Sequence, residues 1–153
     1  MKEALKEAKK AWIEGEVPVG CVIVWQDRII ARGHNQSIKK CDPCAHAEIL
    51  ALRKAAKRLD NYRIPECEAF VTVRPCKMCE GAFAWARVKS VNYGAEREEE
   101  KVNHKHITQP GILRDECEKM IKKFFSDRRA GNKKFERERA KYYPNKIYLG
   151  GRR

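Results

Sequence analysis

The sequence predicts an α/β domain of three layers, with helices on both sides of a central mixed sheet. Three observations carry this. Helical and strand-like segments alternate along the chain in the order α-β-β-α-β-α-β-α, a pattern that places helices over a sheet. The length, 153 residues with 42% hydrophobic content, suits one domain with a sizeable core. No internal repeat or long linker interrupts the order.

The elements follow in turn. Residues 2–14 place Leu5, Ala8, Trp12 and Ile13 at helical spacing, and Gly15 ends the run. Residues 17–25 and 28–34 are β-rich, and the short Gln26-Asp27 connection makes them a hairpin. Asp42-Pro43 has the chemistry of a helix start, because Asp caps and Pro fits the first turn. That helix is predicted to run to about Leu59, with Ala47, Leu50, Ala51, Lys54 and Ala55 along one side. Residues 68–73 form a short apolar strand. A helix runs from Pro75 to near Arg87, and a fourth strand covers residues 88–93. Residues 96–101 are highly charged and predicted to be solvated. Residues 112–129 form an amphipathic helix.

Two short motifs carry the chemistry. They are His46-Ala47-Glu48 and Pro75-Cys76-Lys77-Met78-Cys79. One His and two Cys make three zinc ligands and leave a fourth position for water, the arrangement of a catalytic site rather than a structural one. Cys76 and Cys79 share one helix face at i and i+3. Helix N-termini favour the thiolate, which is the metal-binding form. Glu48 stands two residues from the first ligand, where a carboxylate can shuttle the protons of a zinc-activated water. H-x-E followed by P-C-x-x-C is the pattern of zinc-dependent nucleobase deamination.

Two structural readings compete. Cys41/Cys44 with Cys76/Cys79 could form a zinc ribbon, but the gap between the pairs exceeds ribbon spacing of about 15–20 residues. A closed site of His46, Cys76, Cys79 and Cys44 is the other. Both leave Glu48 without a task. Cys41 and Cys44 are therefore read as ordinary thiols beside the site, and Cys21, Cys67 and Cys117 as packing residues.

Charge narrows the partners. Lys and Arg number 34 against 21 Asp and Glu, a net charge of +13, which favours a polyanion and nucleic acid first. Seven cysteines without a secretory signal point to a reducing, cytoplasmic compartment. No apolar run reaches the roughly 18 residues that span a membrane. The segment 130–153 holds Lys133, Lys134, Arg137, Arg139, Lys141, Lys146, Arg152 and Arg153 against Glu136 and Glu138, interleaved with Tyr142, Tyr143 and Tyr148. It reads either as an RNA-contacting tail, by backbone pairing and stacking, or as a solvated one. The predicted organisation is a deaminase domain over 1–129 and a basic tail over 130–153.

Eight stretches carry a resemblance. They are Glu16-Val-Pro-Val-Gly20, Gly33-His-Asn35, Asp42-Pro-Cys-Ala-His-Ala-Glu48, Asn61-Tyr-Arg63, Thr72-Val-Arg-Pro-Cys-Lys-Met-Cys79, Gly94-Ala95, Gly111-Ile-Leu-Arg-Asp-Glu-Cys117 and Phe124-Phe-Ser-Asp-Arg-Arg129. Together they resemble the bacterial-type tRNA adenosine deaminases of the cytidine deaminase superfamily. The resemblance implies a cytidine-deaminase-like fold, Zn2+ as cofactor, a homodimer, and conversion of adenosine to inosine at the wobble position of a tRNA anticodon stem-loop. It also implies that Asn35 hydrogen-bonds the flipped base and that Val17 and Ala47 line the base pocket. Phe124, Phe125, Arg128 and Arg129 match the helix end that holds the anticodon loop, with Lys133 and Lys134 just beyond. Core packing is the competing role for one of the two Phe.

Three departures stand out. Arg74 replaces the family's Glu before Pro-Cys, so its charge partner must differ. The segment between Ala95 and Gly111 is short and lacks a Gly-rich stretch. Ala84-Trp85-Ala86-Arg87 is closer to guanine deaminases, and Trp85 could serve a dimer interface. The other function classes are a deaminase of free guanine, cytosine or a nucleotide, and a non-catalytic zinc-bound RNA-binding subunit. The intact Glu48 speaks against the latter.

Overall fold

The computed structural model describes residues 1–97 and 107–131. Their elements are α1 (Lys2–Ile13), β1 (Gly20–Trp25), β2 (Arg28–His34), α2 (Ser37–Lys40), α3 (Ala47–Arg58), β3 (Glu68–Val73), α4 (Lys77–Trp85), β4 (Ser90–Ala95), β5 (Ile107–Gln109) and α5 (Arg114–Arg129). The sheet order is β2-β1-β3-β4-β5. β1 runs antiparallel to β2 and β3, whereas β3, β4 and β5 are parallel, so the sheet is mixed as predicted. The β1–β2 connection is a tight one. Gln26 and Asp27 both take positive φ, 48° and 59°, the twist that suits a two-residue hairpin.

Two glycines set the layers. In β1–β2, Gly20 pairs with His34 and Gly33 with Cys21. Neighbouring strand positions face opposite sides, so the two glycines open onto opposite faces. A Cβ on Gly20 would collide with the Ala4 carbonyl oxygen, and one on Gly33 with the Ala47 carbonyl oxygen. Helix α1 therefore presses its backbone on one face through Ala4, Ala8 and Ala11. Helix α3 presses on the other through Ala47, Ala51 and Ala55. Helix α5 joins α1, with Trp12 and Phe124 edge-to-face at 5.6 Å. Helix α4 joins α3, and its Phe83 shares the core with Ala51, Ala55, Ile23 and Val71.

Several boundaries differ from the sequence expectation. α3 begins at Ala47 rather than at Pro43. The Asp42 carboxylate accepts the Cys44 N–H at 2.8 Å and closes a local turn, so it caps no helix. The short α2 lies just before that turn, where the sequence pattern gives no helix signal. β1 begins at Gly20 rather than at 17, because Pro18 has no N–H and the Val17 carbonyl is taken by the Val19 N–H at 2.8 Å. β4 is shifted to end at Ala95. β5 is a fifth strand, and three residues are too few to show a sequence period. Residues 98–101 of the charged stretch and 132–153 of the basic tail lie outside the described residues. No helix among the described residues is long and apolar enough to cross a membrane.

Candidate active site and metal centre

The ligands sit at helix caps, one step earlier than the sequence suggests. His46 is the N-cap of α3 and Cys76 the N-cap of α4, both with extended backbone, ψ 155° and 167°. Neither side chain caps its own helix. Each can thus point away from its helix, and Cys79 joins from the first turn of α4. Cys76 Sγ and Cys79 Sγ are 3.6 Å apart, and they lie 3.6 and 3.5 Å from His46 Nδ1. Tetrahedral zinc, with bonds of about 2.3 Å to sulfur and about 2.0–2.1 Å to nitrogen, sets S···S near ~3.8 Å and S···N near ~3.6 Å. The three atoms therefore fit three corners of a zinc site. Among the described residues no fourth Cys, His or acid joins the group. Cys44 is an exposed thiol that stands outside this group of three.

Electrostatics in the cluster follow from proximity. Hydrogen bonding from Cys79 and then His46 holds the Cys76 thiol down at about 3. The same hydrogen bond, with burial, drives the Cys79 thiol up. Hydrogen bonding to Cys76 raises His46 against the desolvation that lowers it. Glu48, buried in the first turn of α3, is raised chiefly by desolvation, and its charge is felt by Cys79 and His46. A carboxyl beside a metal position with a raised pKa is suited to taking and returning protons.

Of the residues predicted to meet the base, Asn35 and Ala47 are buried and Val17 is half-buried. The Gln36 N–H donates to the Ala45 carbonyl at 3.0 Å, tying the segment of Asn35 to the segment entering His46. The Asn35 Nδ2 donates to Glu16 Oε2 at 3.4 Å. In the sequence, Glu16 stands out only as part of a motif. A lone acid set beside two valines and a proline is the available signal.

Arg74 finds its charge partners in Glu96 and Glu80. Its Nη1 lies 3.4 Å from Glu96 Oε2 and its Nε 3.9 Å from Glu80 Oε1. Tyr93 donates its hydroxyl to Glu96 at 2.5 Å, and burial and then Glu96 push the phenol up to about 12. No local pattern in the sequence signals this cluster.

The predicted RNA contacts lie elsewhere. Phe125, Arg128 and Arg129 are exposed or half-exposed at the C-terminal end of α5, while Phe124 is fully buried. Packing is thus the role of Phe124, and Phe125 is the accessible ring. Lys133 and Lys134 lie outside the described residues. Trp85 is 86% exposed at the end of α4.

Comparison with known proteins adds to this geometry. Residues 1–95 match the cytidine and deoxycytidylate deaminase zinc-binding region. A tRNA-specific adenosine deaminase of Bacillus subtilis is 40% identical over 146 residues, covering 87% of this chain and 91% of the relative. One of Haemophilus influenzae is 40% identical over 147 residues, covering 87% and 85%. A structure from work on A-to-I editing by tRNA:A34 deaminases at the wobble position superposes with a TM-score of 0.72 at 32% identity, over 78% of this chain and 96% of that one. Guanine deaminase from Bacillus subtilis superposes with a TM-score of 0.59 at 43% identity, over 62% and 61%.

Proposed function

The chain belongs to the tRNA-specific adenosine deaminases within the cytidine and deoxycytidylate deaminase zinc-binding family, and from that premise we propose that it converts adenosine to inosine in tRNA by zinc-dependent hydrolysis. The observation that carries the reading is the His46–Cys76–Cys79 triangle, of zinc dimensions, with Glu48 buried in the first turn of the helix that His46 caps. A guanine deaminase is also a structural relative, with a TM-score of 0.59 over 62% of this chain against 0.72 over 78% for the tRNA:A34 deaminase structure, while the tRNA-specific relatives are 40% identical over 87% of the chain.

His46 Nδ1, Cys76 Sγ and Cys79 Sγ would hold the zinc. When bound, zinc lowers the pKa of water from about 15.7 towards roughly 7. Glu48 would take a proton from the attacking water at a carboxylate oxygen as that oxygen adds to C6 of the purine. The same carboxyl would give that proton to the ring nitrogen, then take the proton of the new C6 hydroxyl and pass it to the amine, which leaves as ammonia as the C6 carbonyl forms. Asn35 holds the base edge, and Val17 and Ala47 line the pocket. Burial of Glu48 keeps solvent from competing for its protons.

The substrate in this reading is the anticodon stem-loop at its wobble position. Phe125 stacks and Arg128, Arg129, Lys133 and Lys134 pair phosphates. Residues 1–129 form the catalytic domain and the tail from 130 adds charge. Two copies act together, with exposed Trp85 in their interface. Replacing Glu48 with Ala tests the reading. Turnover is expected to fall by at least about 10²–10⁴-fold with zinc retained. Undiminished inosine formation would overturn it.

A further inference from the structure

We propose that Glu16 is a positioning residue that fixes which way the Asn35 amide faces the base. This deepens the function proposed above and rests on Asn35 touching the base. Glu16 is fully buried. Its Oε1 accepts the Lys39 N–H at 2.8 Å, and its Oε2 accepts Asn35 Nδ2 at 3.4 Å. Lys39 lies in the four-residue α2, whose N-cap Gln36 makes no side-chain cap. Glu16 thus satisfies a backbone N–H of α2 from 23 residues away, and this bond anchors its carboxylate.

The orientation follows from hydrogen-bond chemistry. An ionised carboxylate only accepts, so the amide nitrogen of Asn35 must face Glu16. Among the described residues the bond to Glu16 is the hydrogen bond that the Asn35 amide makes, through its nitrogen. One acceptor and one remaining N–H are left for the base, in a fixed order. An unconstrained amide would offer both orders. Adenine presents a donor beside an acceptor, and guanine presents two acceptors at the corresponding edge. A locked amide therefore favours one base over the other. The 3.4 Å contact is long, as such bonds often are before a substrate is seated.

Glu16→Gln exposes the mechanism. The Lys39 N–H keeps the carbonyl of the substituted side chain facing it, so the new NH2 faces Asn35. The Asn35 amide must then turn round. With tRNA substrate, Glu16→Gln is expected to lower kcat/KM roughly tenfold or more with zinc content unchanged. In an Asn35→Ala background the same change should have no further effect, because Glu16 acts through Asn35. A full additional loss in that background would overturn the proposal.

A second readout needs no turnover. In protein labelled with 15N-asparagine, one Asn35 side-chain proton should exchange slowly with solvent, and Glu16→Gln should move its resonance. Capping of α2 alone would not shift that signal. Fast exchange of both Asn35 protons in the wild type would overturn the proposal even if the variant failed to fold. If the amide is locked but no tRNA inosine forms, the functional reading falls and the positioning stands. If inosine forms and the two substitutions are additive, the positioning falls and the function stands.

Discussion

The metal corner and the Glu16–Asn35 corner use different means to fix a side chain. In the first, two helix caps and one first-turn residue carry the ligands, so the packed N-termini of two helices bring three atoms within 3.6 Å across as many as 33 residues. In the second, the polar groups are joined by side-chain bonds across 19 to 27 residues. Asn35 meets Glu16, and His34 sits between Glu7 at 3.2 Å and Glu14 at 3.4 Å. A site built on helix ends tolerates little displacement and needs few partners. A site held by side-chain bonds depends on how α1 and the loop after it seat against β2.

The contrast predicts a ranked set of effects. Cys79→Ala should be the most damaging, removing one of three ligands. Zinc content is expected to drop from about one per chain to near zero after dialysis against a mild chelator, with turnover lost. Glu16→Gln, measured beside it by elemental analysis, should keep its zinc. Equal zinc loss in both would erase the distinction between the corners.

Phe124→Ala comes next, at a cost of about 3–5 kcal/mol, since its ring is buried between Trp12 and Phe125. Phe125→Ala should cost little in a thermal melt and instead weaken tRNA binding. A reversed pattern would place the RNA-facing ring wrongly.

The smallest effect concerns pH. Burial would raise the Glu7 carboxyl, but Lys10 and His34 outweigh it and hold it below its ordinary value. A group depressed in the folded state stabilises above its unfolded pKa, ~4.3 for Glu, and that contribution fades as pH falls through the folded value. Glu7→Gln should therefore lower the melting temperature at pH 7, and its gap from wild type should close between about pH 5 and pH 3. A gap that persists unchanged at pH 3 would locate the effect elsewhere.

Legibility in the sequence tracks the same divide. His46, Glu48, Cys76 and Cys79 are readable because ligand spacing is local and zinc admits few geometries. The layered α/β order is readable from apolar periodicity, and the Gln26-Asp27 turn from its length. The start of α3 is misread because Asp42-Pro43 has helix-start chemistry, yet the Asp42 carboxylate goes to the Cys44 N–H. Glu16 carries only the signal of an acid beside two valines and a proline, and its role is hidden because its partners, Lys39 and Asn35, become neighbours only on folding. Arg74 is an anomaly until Glu96 and Glu80 come beside it. β5 is three residues long, below the length at which a period can register.

The most direct measurement is mass spectrometry of nucleosides after zinc-loaded protein is incubated with tRNA, and separately with free bases and nucleosides, beside Glu48→Ala. The account predicts inosine in tRNA alone, absent with the variant. Product from free guanine or cytosine, with tRNA untouched, would contradict it.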